Sequence, residues 1–222
     1  MLRRLVAFRS TGVIGMRREN VLLKSDPASN QRTVDCLLRG GVVLLPTDTV
    51  YGLAVLPTCK DSIERVYGIK GRPRQANLPV MVASESDIDA LGFALNEAAR
   101  RLLRSPLVPG SLTLALGFRR GPAAPWLAGR EEAAVRIPNE HWLLAVLRIV
   151  GPLLVTSANV HGANTPDDIA DVLAQLQGTP DLAVDGGVLH TVPSTLVNCR
   201  RDPPVIERVG IVPEAVVMEY LK

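Results

Sequence analysis

Aromatic residues are scarce: Phe, Trp and Tyr together make up 4% of the 222 residues. A core built without rings is filled by Val, Leu, Ile and Ala, which favours strands covered by helices over an aromatic-rich sandwich. The same scarcity leaves few platforms on which nucleobases could stack. Cysteine is thin as well. Cys36, Cys59 and Cys199 stand far apart, with no C-x-x-C pair and no histidine at ligand spacing. Neither a disulfide framework nor a structural zinc site is expected, and a reducing, cytoplasmic setting is. No apolar run approaches the roughly 20 residues that cross a bilayer, so no membrane span is expected. A Walker-type G-x-x-x-x-G-K-[ST] is missing, which excludes a P-loop ATPase. No serine sits in a G-x-S-x-G elbow, and His141, His161 and His190 lack any mutual spacing suited to a metal or a triad. A protein-held metal site is therefore not expected, and hydrolase chemistry is disfavoured.

What is present describes an ordinary soluble chain. Hydrophobic residues are 47% and charged residues 21%, and the length suits one domain with a substantial core. The net charge of +3 permits an anionic substrate without calling for nucleic acid. Residues 1–24 carry Arg3, Arg4, Arg9, Arg17, Arg18 and Lys24 against Glu19 alone. They read as a basic, weakly structured leader ahead of a single domain at 25–222, because a signal peptide would need a longer apolar core.

Apolar periodicity predicts helices near 30–38, 61–67, 86–91, 96–103, 141–149, 167–176 and 213–221. Unbroken apolar runs at 42–45, 79–83 and 153–155 have the character of strands buried on both faces, and 111–118 alternates as a strand does. Further strands are expected at 51–56, 133–137, 182–184, 195–198 and 205–209. Helices and strands interleave along the whole length, which gives an α/β class with a mixed sheet.

Several polar segments follow apolar strands or sit beside turns, where ligands gather in open α/β sheets. PTDT (46–49) brings two hydroxyls and a carboxylate; as a plain turn it would use Asp48 to cap the next segment. IKGRPR (69–74) spaces Lys70, Arg72 and Arg74 along a Gly-Pro loop suited to a polyanion, although a solvated basic loop has the same look. TSANVHG (156–162) offers hydroxyls, amides and backbone N–H groups for an anion. In VRIP (135–138), Arg136 ends an otherwise apolar strand and needs a partner, either a substrate carboxylate or an acid of the protein. PST (193–195) and ERVG (207–210) add Ser194 and Arg208.

Taken in order, GGVVLLPTDTVYGLA, YGIKGRP, VPGSLTLAL, AAVRIP, GPLLVTSANVHG, VDGG, PSTLV and IERVG resemble the Sua5/YrdC/YciO family over residues 33–210. The resemblance implies a twisted open mixed sheet flanked by helices, with a concave, positively charged face. It implies a threonylcarbamoyl-AMP synthase that joins L-threonine, bicarbonate and ATP with release of pyrophosphate, usually with Mg²⁺ on the phosphates. A partner transferase machinery then carries the group to adenosine 37 of tRNA, which allows for a contact with RNA. By family position Thr47, Arg136 and Ser194 would hold threonine. Lys70 and Arg72 would embrace the triphosphate and act as the catalytic pair, and Thr113, Ser157, Asn164 and Arg208 would line the nucleotide. The alternative is a YciO-like paralogue that binds RNA or nucleotide without turnover. Three positions depart from the family pattern. Ala76 replaces a polar residue expected beside the nucleotide, Ser111 replaces a proline, and Glu140 takes the place of a histidine, where a carboxylate would repel the substrates unless it points away.

Overall fold

The computed structural model describes residues 16–222. After a 3-10 turn at Arg18–Asn20, the elements run β1 (Val21–Leu23), α1 (Ser29–Leu38), β2 (Val43–Leu45), β3 (Gly52–Val55), α2 (Lys60–Lys70), β4 (Val80–Met81), α3 (Glu85–Ala90) and α4 (Glu97–Arg104). They continue with β5 (Leu112–Gly117), β6 (Glu132–Arg136), α5 (His141–Val150), β7 (Leu153–Ser157), α6 (Ile169–Gln175), β8 (Leu182–Asp185), β9 (Thr195–Asn198), β10 (Val205–Arg208) and α7 (Glu214–Glu219). Among the described residues ten strands form one sheet in the order β1-β8-β2-β3-β7-β4-β6-β5-β9-β10. Parallel pairs (β1/β8, β2/β8, β4/β6, β5/β9) mix with antiparallel ones, as the sequence led one to expect.

The boundary expected between residues 24 and 25 falls inside the folded unit. β1 pairs in parallel with β8, Val21 opposite Ala183 and Leu23 opposite Asp185. A three-residue edge strand carries too little periodicity to stand out in sequence. The first 15 residues of the expected leader lie outside the described residues.

Paired residues in a sheet project to the same face, and this sorts the two faces here. One row runs Val55, Leu154, Val80, Val135, Leu114 and Val197 across six neighbouring strands, and every member is buried. That aliphatic row belongs to the helix-covered core. The residues between them face the other way: Gly52, Ala54, Val155 and Ser157, then Met81, Ala134 and Arg136, then Thr113, Ala115 and Leu196. This set is dominated by small and polar side chains, so the sheet is left with a hollow on that face.

Candidate active site

A cavity of about 270 Å³ occupies the hollow. Its wall includes Thr47, Thr49, Arg72, Asn77, Thr113, Arg136, Ser157, Ser194 and Arg208. The position corrects an expectation. The polar segments do not gather at one common end of the strands, because β7 and β4 are antiparallel, with Met81 opposite Leu153. Ser157 and Arg136 thus end their strands at opposite ends of the sheet, and the cavity runs across the face between them.

At one end Arg136 is buried with 5% of its side chain exposed. Its Nε donates to Gly110 O at 2.9 Å and its Nη1 to Thr49 Oγ1 at 2.8 Å. Its Nη2 lies 2.8 Å from Asp48 Oδ1, an ion pair without hydrogen-bond alignment on either side. Burial pulls the guanidinium's pKa down and Asp48 pulls it back. Of the two partners open to Arg136 from sequence, the protein's own acid fills the role here.

The hydroxyls around it can be assigned directions. Thr47 Oγ1 donates to Val50 O at 2.7 Å and accepts from Thr49 N at 3.0 Å. With its proton so used, it accepts from the Thr49 hydroxyl, 3.0 Å away. Thr47 therefore lines the cavity with a hydroxyl already saturated by its own turn, and its contribution to a ligand is shape rather than a hydrogen bond.

Thr113 and Ser194 face each other with their hydroxyls 2.7 Å apart, because β5 and β9 run parallel with Thr113 opposite Leu196. Arg208 closes this side, donating through Nε and Nη2 to Ser194 O at 3.1 and 2.9 Å. Partial burial, then the like charge of Arg136, lowers the pKa of Arg208.

At the other end Arg72 donates from Nε to Ala76 O at 3.1 Å and from Nη2 to Asn77 O at 3.2 Å. This bears on the Ala76 departure, since the arginine is held by main-chain carbonyls and asks nothing of the side chain at 76. Asn77 itself reaches the cavity wall. The chain gets to Arg72 through a Schellman ending: Gly71 adopts φ 57°, and Arg72 N bonds Tyr67 O at 3.0 Å while Gly71 N bonds Gly68 O at 3.1 Å.

Two expected site residues are not on the cavity wall. Lys70 belongs to the last turn of α2 rather than to a loop, and is 1% exposed. Its Nζ bonds Ser157 O, Asn159 O at 2.6 Å and Asn159 Oδ1 at 3.3 Å. Burial, with Arg72 adding to it, pushes its pKa down to about 7. Asn164 is exposed and presents only its carbonyl, to Gln175 Nε2 at 3.1 Å. The buried amide in this region is Asn159, whose distinction from Asn164 no local pattern revealed. Glu140, a second of the three departures, points away from the cavity: Oε2 pairs with Lys24 Nζ at 3.0 Å and Oε1 caps α5 at Trp142 N.

Among the described residues no carboxylate lines the cavity, and its charged members are three arginines. The acid beneath it, Asp48, is committed to Arg136. A protein-held divalent cation does not fit this donor set, and Mg²⁺ would have to enter on the phosphates of a nucleotide.

Residues 35–210 match the model of the Sua5/YciO/YrdC family, described as "Telomere recombination". The chain belongs to this family. It is 35% identical over 192 residues to the threonylcarbamoyl-AMP synthase of Bacillus subtilis (strain 168), an alignment covering 85% of this chain and 55% of that protein. The crystal structure of P. abyssi Sua5 complexed with L-threonine superimposes with a TM-score of 0.78 at 28% identity, covering 86% of this chain and 56% of that one. E. coli YciO superimposes with a TM-score of 0.73 at 28% identity, covering 83% of this chain and 90% of that one. The chain thus spans little more than half the length of the first two. Within the family the fold is shared, and in the hollow on the sheet face this chain sets arginines beside hydroxyl groups.

Proposed function

We propose that the chain is a threonylcarbamoyl-AMP synthase, forming the adenylate from L-threonine, bicarbonate and ATP for the N6-threonylcarbamoyl modification of adenosine 37 in tRNA. The observation that carries this reading is a cavity wall with three arginines, six Ser and Thr residues counting Thr156, and no carboxylate among the described residues. Such a wall favours ligands rich in negative charge and sets no carboxylate, histidine or lysine beside its hydroxyls to activate one as a nucleophile.

The chemistry asks for nothing more. The amine of threonine takes up carbon dioxide derived from bicarbonate to give a carbamate, a carbamate oxygen attacks the α-phosphorus of ATP, and pyrophosphate leaves. Orientation and charge neutralisation dominate such a step. Arg72 meets the polyphosphate. Arg208 and the Thr113–Ser194 pair set the opposite wall, and Arg136 supplies positive charge to the carboxylate of threonine. Asp48 already offsets part of that charge, so the amino-acid carboxylate binds a pair rather than a bare cation. Mg²⁺, when it enters on the phosphates, supplies further charge neutralisation.

The test is incubation with ATP, labelled bicarbonate and threonine, followed by a search for labelled adenylate and threonine-dependent pyrophosphate. Both are expected, and Arg72→Ala and Arg136→Ala should each lower their formation by at least tenfold, about the loss of one charge-assisted contact. Turnover within twofold of the parent in both variants would sink the residue assignment. RNA affinity without any adenylate would instead indicate a binding paralogue.

A further inference from the structure

The segment after β7 holds a buried polar network that does not itself form the cavity wall. Asn159 Nδ2 donates to Val160 O at 2.9 Å and to Ala163 O at 2.7 Å. Two carbonyl acceptors leave the amide only one orientation, with Oδ1 turned toward Ser157 and Lys70. Oδ1 accepts from the Ser157 hydroxyl, from Lys70 Nζ at 3.3 Å and from Thr165 Oγ1 at 3.3 Å. The Ser157 proton is therefore spent on Asn159, and the oxygen that Ser157 turns to the cavity keeps only lone pairs. Lys70 cannot be a free phosphate ligand in this arrangement. Its ammonium bonds two main-chain carbonyls and the Asn159 amide, and His161 N returns to Lys70 O at 2.8 Å.

We propose that Asn159, backed by the Lys70 ammonium, is a positioning residue that holds the Ser157 hydroxyl as a hydrogen-bond acceptor. The ligand group it faces is then a donor, a ribose hydroxyl or the exocyclic amine of the base, and not a phosphate oxygen. Lys70 acts on the nucleotide through this loop and not by direct contact with the polyphosphate. The proposal rests on the nucleotide reading of the site and assigns a part of that ligand to one of its walls. Arg72 is the charged side chain acting on Lys70; the remaining neighbours of its Nζ are neutral carbonyls.

The experiment compares the affinities of adenosine, AMP and ATP, by calorimetry or competition, across Ser157→Ala, Asn159→Ala and Lys70→Met. Each variant should weaken all three ligands by a similar factor, about three- to tenfold for one hydrogen bond. Ser157→Ala/Asn159→Ala together should be no worse than Ser157→Ala alone. A loss that grows with the number of phosphates, or that is confined to ATP, would overturn the proposal. Should Lys70→Met fail to fold, the two loop variants carry the same comparison, with thermal melting recorded alongside. If the parent binds no nucleotide, the functional reading falls, and hydrogen exchange across 157–165 still decides the positioning role. Protection lost in Asn159→Ala and kept in Ser157→Ala supports it; protection unchanged in both removes it.

Discussion

Two concave regions among the described residues are rich in arginine, and they differ in what holds the cations. The cavity on the sheet face carries Arg72, Arg136 and Arg208 with no acid in its wall. A second cleft, about 390 Å³, lies beside the end of α1 and carries Arg32, Arg39 and Arg65 together with Asp35 and Asp181. In the cleft Arg65 is bidentate to Asp181 at 2.7 and 3.0 Å, which cancels its charge locally. In the cavity Arg72 and Arg208 are oriented by neutral carbonyls, so their positive field survives. Fixing a cation with a carbonyl keeps it available to an anionic ligand; fixing it with a carboxylate spends it. In the cleft Arg32 is likewise held by a carbonyl, Glu19 O at 2.8 Å; in the cavity Arg136 breaks the contrast, and its acid lies beneath the wall.

Breaking that exception should have the largest effect. Arg136→Met leaves Asp48 buried without a counter-ion, and a loss of about 3–5 kcal/mol in denaturant unfolding is expected. The double variant Asp48→Asn/Arg136→Met should recover part of it, and a single-variant loss below about 1 kcal/mol would show that the pair is not stabilising. A pH series sharpens the contrast from the other buried cation. Lys70 has its pKa lowered from 10.5 to about 7, so between those values the unfolded chain binds more protons than the folded one. Stability from this group therefore rises with pH from about 7 to 10.5, by at most about 1.4 kcal/mol per pH unit. Below pH 7 the cost of the buried charge is present in full. The three acceptors around Nζ work against burial and shrink the slope. The stability difference between the parent and Lys70→Met should vary with pH in that window, and a flat difference would contradict it. The smallest effect belongs to the cleft. Asp181→Asn removes a half-exposed ion pair and should cost about 1 kcal/mol or less, with nucleotide affinity and adenylate formation unchanged. A fall in nucleotide affinity there would abolish the distinction between the two regions.

Much of this was legible in the residues. The apolar runs at 42–45 and 153–155 and the alternation at 111–118 marked strands that the fold contains as Val43–Leu45, Leu153–Ser157 and Leu112–Gly117. The ordered motifs brought Thr47, Arg72, Thr113, Arg136, Ser157, Ser194 and Arg208 to a single cavity wall. The failures at the site have one origin: side-chain direction and hydrogen-bond commitment are not carried by spacing. α2 runs on to Lys70 and buries it, whereas the Gly-Pro content of 69–74 suggested a loop. Asn164 and Asn159 are five residues apart in the same polar stretch, and only packing decides which is buried. Thr47 lies at the expected place with its hydroxyl already used. Glu140 became harmless through a partner 116 residues away, Lys24, inside what looked like a leader.

The sequence by itself determined the class of fold, the family, and the cationic, hydroxyl-rich character of the site, because those properties depend on residue type and order. Tertiary structure decided which charges remain unspent. Alternating strand directions spread the site across a sheet face instead of gathering it at one end of the strands. Long-range pairing then gave Arg136 an acid, Arg208 the carbonyl and hydroxyl of Ser194, and Lys70 a buried place behind the loop it supports. Those outcomes depend on distances of a few ångströms between residues far apart in the chain, where hydrogen bonding and desolvation are settled.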